Sequence, residues 1–182
     1  MYYAGNQPQL IETVGWGTLN QPATSVPAQP PAPVDPPTAI ELARIALTFG
    51  DGEAAALHYR EHILENSEDS QALREYGLTM LELGKLSDGF AAIRKAYRDT
   101  PTLATSPIEL ARLGFDAPRV RKLMGAVSPE ANKIQTSSAW LTLAVILQAQ
   151  GKDLAAQRML QKSEANGLDE PITQAMKSAL RR

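Results

Sequence analysis

An all-α fold of stacked helical hairpins, an α-solenoid, is predicted for most of this chain by three observations. Gly50, Gly84 and Gly151 each end an apolar stretch and precede an alanine-rich one. Gly84 lies 34 residues after Gly50, which is the period of a helical hairpin repeat. From Thr38 to Arg182 the apolar residues recur at helical spacing.

Residues 1–37 stand apart in composition. They hold eight of the thirteen prolines, only two charged residues (Glu12 and Asp35), and no Lys or Arg. The stretch from Pro27 to Pro37 reads as an extended polyproline-like spacer, because proline fixes φ and removes the amide donor that helices and sheets need. Upstream, Leu10, Ile11, Val14 and Trp16 have the β-branched and aromatic character of a short strand or a docking segment. The expected division is an extended arm, 1–37, and a helical-repeat domain, 38–182.

Thr38 and Glu41 read as a capping box opening a helix over about 38–49, which Gly50 closes in the left-handed conformation. Helices over 53–66 and 70–83 follow, Gly84 closes the latter, and a fourth runs over 87–99. Shifting the first hairpin by 34 residues places Leu47 on Leu81, Ala43 on Gly77, Ala55 on Gly89 and Tyr59 on Ile93. Small residues thus recur where paired helices must approach closely. A third hairpin is expected over 137–166, with Trp140, Leu143, Ala144, Leu147, Gly151, Ala156 and Leu160; Gly151 follows Gly84 by 67 residues, close to two periods.

Residues 102–135 interrupt the pattern. Ser106-Pro107-Ile108-Glu109 looks like a cap, a first-turn proline and a box glutamate, predicting a short helix to Gly114. A helix over Ala117–Val127 follows, and Ser128-Pro129 predicts a restart. Asp169 to Arg182 reads as a helix polar on one face, as expected of one that caps a stack.

The columns resemble the tetratricopeptide repeat. Leu73, Gly77, Leu81, Gly84, Ala96 and Pro101 match its pattern in the second hairpin, and Trp140, Leu143, Ala144, Gly151 and Ala156 in the third. The likeness spans roughly residues 38–166 and resembles small bacterial members with few, partly degenerate repeats. It departs at His62, at Ser67 and throughout the middle segment. The resemblance implies a binding groove lined by the first helix of each hairpin. Carried over by position, that face presents Arg44, Leu47, Thr48, Arg74, Leu78, Leu81, Glu82, Leu141, Val145 and Gln148. The Lys and Asn pattern that clamps a C-terminal carboxylate in some members is missing here, where the matching positions include Arg74 and Leu78. An apolar peptide, extended or helical, suits these leucines and flanking arginines better, and the same leucines are equally expected to pack the next helix.

Few residues suggest chemistry. His58-Tyr59-Arg60-Glu61-His62 fits the inverted zincin pattern, with two histidines four apart on one helical face. They are the only two histidines, so the third ligand of a catalytic zinc has no histidine to supply it, and Glu130 is the nearest candidate at a suitable distance downstream. No phosphate loop or dinucleotide fingerprint occurs, and Ser137, Ser138 and Trp140 read as helix-start and core residues.

A formal net charge of -2 and pI about 5.7, with both signs interspersed, disfavour nucleic acid. The absence of cysteine excludes disulfides and thiol chemistry. No apolar run reaches bilayer length and the first residues lack a secretory signal, so a soluble chain is expected, its compartment unspecified. The expected function is a non-catalytic protein-interaction scaffold with no cofactor, binding a protein or peptide through the groove. The alternative is an assembly subunit whose arm packs on a neighbouring copy, and a metal site at His58 and His62 is a minor third.

Overall fold

A computed structural model describes residues 35–180. The chain divides into two units, 1–35 and 36–182. The arm residues Leu10, Ile11, Val14 and Trp16 lie outside the described residues.

The described residues are all-helical, with eight α-helices and no strand among them. These are α1 (Ala39–Thr48), α2 (Gly52–Glu65), α3 (Ser70–Glu82), α4 (Leu86–Asp99), α5 (Ala117–Ile134), α6 (Ser137–Ala149), α7 (Asp153–Ala165) and α8 (Glu170–Ala179). Two 3-10 turns, Pro101–Thr105 and Leu110–Leu113, lie between α4 and α5. Three hairpins pair α1 with α2, α3 with α4 and α6 with α7, and α2 also packs on α3.

The same turn closes the first helix of each hairpin. Gly50, Gly84 and Gly151 have φ of +81°, +77° and +68°. The next amide reaches back five residues each time: Asp51 to the Ala46 carbonyl, Lys85 to Met80 and Lys152 to Leu147, all at 2.9 Å. An added Cβ would meet nothing within 4 Å at any of the three. Their glycine requirement is therefore conformational, the left-handed angle alone. At the start of α1, the Glu41 carboxylate accepts from both the amide and the hydroxyl of Thr38 at 2.8 Å, and the amide bond, helped by the hydroxyl, holds its pKa below the usual range.

Packing within the second hairpin depends on two further glycines. A Cβ on Gly77 would stand 2.7 Å from Ile93 Cγ1, and one on Gly89 would stand 2.5 Å from Leu81 Cδ2 and 2.9 Å from the Gly77 carbonyl oxygen. α3 and α4 thus cross with backbones nearly in contact. Leu47, Leu78, Leu81, Tyr59, Ile93 and Tyr97 fill the shared core around this crossing and its counterpart in the first hairpin.

The interruption differs from expectation in two places. Ser106 to Glu109 starts no α-helix: the Ser106 carbonyl, which Leu110 would occupy in a helix, accepts instead from Arg74 Nη1 at 2.8 Å, and the Leu110 amide turns to Ile108. Ser128-Pro129 starts nothing either, since α5 runs through Pro129 to Ile134. Proline leaves the carbonyl four residues back, that of Gly125, without its helical donor. Gly125 lies on the exposed side of α5, where water can reach that carbonyl. α8, expected at the end of the stack, packs most closely on the Pro101–Thr105 turn and touches α4 and α7.

Substituting Gly77 or Gly89 with Ala should destabilise the fold by about 1–3 kcal/mol through overpacking. Gly125→Ala, on an open helix face, should stabilise it by up to about 1 kcal/mol. Urea denaturation of the three variants measures this difference in sign.

Candidate functional site

The segment from Pro101 to Asp116 forms a strap laid across the first helices of the first two hairpins. Two arginines from different helices, Arg74 and Arg119, hold it, and a third, Arg44, ties α1 to α3 beside it. Arg74, in α3, donates from Nη1 to the carbonyls of Leu103 (3.3 Å) and Ser106 (2.8 Å) and to the Tyr97 hydroxyl (3.3 Å). Arg119, in the first turn of α5, pairs through Nε and Nη2 with both carboxylate oxygens of Glu82 at the end of α3. Its Nη1 donates to the carbonyls of Leu47 (2.8 Å) and Gly114 (3.1 Å). The guanidinium also lies 4.3 Å from the centre of the Phe115 ring. Arg44, in α1, pairs with Glu75 of α3 through two bonds of 2.8 and 3.1 Å.

Gly114 marks the closest approach. Its φ is +77°, and an added Cβ would stand 2.7 Å from both Cα and the carbonyl oxygen of Thr48. Both conformation and space therefore require glycine there. On the other side of the strap, Gln148 of α6 donates to the Ala104 carbonyl at 2.9 Å.

This arrangement corrects the expectation that Leu47, Leu78, Leu81, Leu141 and Val145 line an open groove. All five are buried in the core. The strap and α5 lie over α1 and α3, and α5 packs along α6, so these faces meet the chain's own elements. Arg74 and Gln148 are buried as well, holding strap carbonyls, while Glu82 binds Arg119. Of the ten residues on that face, Arg44 and Thr48 keep substantial exposure; Arg44 is committed to Glu75, and the Thr48 hydroxyl donates to the Arg44 carbonyl at 2.8 Å.

The two histidines serve other ends. His62 Nε2 lies 2.9 Å from Asp69 Oδ2, and its Nδ1 lies 3.4 Å from Asn66 Nδ2. Asp69 also caps α3 by accepting from the Ala72 amide at 2.9 Å. Burial opposes ionisation of Asp69, but that amide and the His62 ring outweigh it, and its pKa is lowered. His58 Nδ1 faces Glu61 at 3.5 Å. No group of three or more metal-binding side chains forms among the described residues. Trp140 is a buried core residue with Lys162 Nζ 4.1 Å from its ring centre, so it offers no aromatic shelf.

One concave surface lies beside the strap. An open cleft of about 1120 Å³ runs between Ser106–Arg112, the start of α5 and the end of α6. Its floor is apolar, with Ile108, Phe115, Val120 and Ala149, and its rim carries Arg112, Arg121 and Lys152 against the single acid Glu109. Sequence reasoning missed it because its walls come from the segment with no repeat pattern. Comparisons with family models, with curated proteins and with solved structures give no match. No helix among the described residues is long and apolar enough to cross a membrane.

Arg119→Ala leaves the mostly buried Glu82 without its partner and frees two carbonyls, an expected loss on the order of 3 kcal/mol. Amide exchange should accelerate first in residues 110–116 of the strap. Protection there equal to that of the parent protein would contradict the assignment.

Proposed function

We propose that this protein is a non-catalytic interaction scaffold, a small tetratricopeptide-like α-solenoid whose arm, residues 1–37, tethers it or docks on a partner. The recurrent glycine turn and the 34-residue correspondence of the first two hairpins support the repeat reading. The ligand is a segment of a partner protein with an apolar centre and acidic flanks, seated in the cleft beside the strap. A single observation carries this: an apolar floor edged by three cationic side chains, of which only Arg112 has an acidic partner on the rim, Glu109 at 2.9 Å. Such a rim attracts acidic residues and rejects basic ones, while the floor accepts aliphatic or aromatic anchors.

Selection from a phage-displayed random peptide library should enrich sequences with Asp or Glu around an apolar anchor. The double charge reversal Arg121→Glu with Lys152→Glu, both on exposed positions, should weaken the selected peptides by about tenfold or more with helicity unchanged. Binding indifferent to that reversal would remove the cleft from consideration.

A second reading, self-assembly, is favoured by α1. Ile45 in α1 and Phe49 at its C-terminal cap, four apart, are 50% and 84% exposed, whereas Thr79 and Leu83, 34 positions later, are buried and half-buried. α3 has α2 packed on it, and among the described residues no helix precedes α1. An apolar helix face of this kind suits the same face of a second copy. Light scattering of the full chain should then show a dimer that Ile45→Glu with Phe49→Glu converts to a monomer. A monomeric parent protein at high concentration would dismiss it.

A further inference from the structure

Beneath the strap, on its α1 and α3 side, lies a smaller hollow of about 350 Å³, lined in part by Arg44, Gln71, Arg74, Glu75, Ile108 and Arg112. Its charges are unevenly matched. Glu75 is buried and fully engaged, accepting from Arg44 Nε and Nη2, from the Tyr59 hydroxyl at 3.0 Å and from Gln71 Nε2 at 3.1 Å. Burial together with that neighbouring carboxylate raises the pKa of Tyr59, which keeps its proton and donates it. Glu109, on the rim, pairs with Arg112, which is largely exposed.

Arg74 has no such partner. It is 4% exposed, and all its hydrogen bonds leave from Nη1 to neutral oxygens. Its Nε is buried with no acceptor, and no carboxylate pairs with it among the described residues. The Tyr97 ring, 5.8 Å away, offers only a distant quadrupole. A buried guanidinium without a counter-charge is costly, and the usual remedy is an anion held by its fork.

We propose that the hollow binds a small monocarboxylate, with its carboxylate against Arg74 and its polar body between Gln71 and Arg112. A single negative charge fits, because the lining carries three guanidiniums against two carboxylates. A dianion would leave one charge unmatched beside Glu75. The hollow shares Ile108, Glu109 and Arg112 of the strap with the peptide cleft, but Gln71, Arg74 and Glu75 line the hollow alone, so the assignment rests on Arg74 and does not depend on the peptide reading.

The test is a titration of the full-length protein with acetate, lactate and pyruvate, and with inorganic phosphate for comparison, observed through the arginine Nε–Hε signals by NMR. The expected result is a saturable shift of the Arg74 signal with at least one carboxylate, at a Kd of about 1 mM or tighter. Arg74→Lys should weaken it by about tenfold, since a lysine makes no bidentate contact. Arg112→Gln, a surface change that folding tolerates, should weaken it by a few-fold and serves alone should Arg74→Lys not fold. No saturable shift with any of the three carboxylates, an undiminished shift in Arg112→Gln, or tighter binding of phosphate would each overturn the proposal.

Discussion

The surface architecture of this protein depends on the largely buried clasp of Arg119 with Glu82 and the Leu47 carbonyl. Arg119 begins α5, Glu82 ends α3, and Leu47 lies in the last turn of α1. One guanidinium therefore joins three helix ends. Its positive charge lies where α1 and α3 present their unsatisfied carbonyls, the side on which a cation is favoured. With the clasp made, α5 must lie against α3 and the strap must cross α1. Gly114 then meets Thr48 at a distance no side chain could tolerate.

Arg74 completes the arrangement from the other end. By capturing the carbonyls of Leu103 and Ser106 it replaces the bonds that an α-helix would have made there. The strap is thus ordered by side chains distant in sequence, with only two short 3-10 turns of its own. A backbone segment of this kind leaves a concave surface on each of its two flanks. One flank is apolar with a basic rim, and the other is polar and holds the unpaired guanidinium.

The hairpins follow from constraints that are local. A left-handed residue followed by an amide that reaches back five positions is complete within one turn of chain, so Gly50, Gly84 and Gly151 identify the turns without reference to anything else. The small residues Ala43, Ala55, Gly77 and Gly89 are nearly as direct, because close helix crossings admit little else. Equally local signals misled at Ser106-Pro107 and at Ser128-Pro129. In the first case a distant arginine outbid the helix for a carbonyl; in the second the carbonyl that the proline frees lies on the exposed side of α5, so the helix continues.

The amino-acid sequence by itself determined an all-α domain, its three hairpins and the position of the interruption, since these rest on periodicity and on backbone angles set within a few residues. Only the tertiary structure decided which faces of those helices stay open. Helical spacing states that Leu47, Leu78 and Leu81 share a type of face, but whether that face meets solvent depends on contacts such as Arg119 with Glu82, 37 residues apart, and with Leu47, 72 residues apart. Those contacts arise from folding of the whole chain, and no local pattern encodes them.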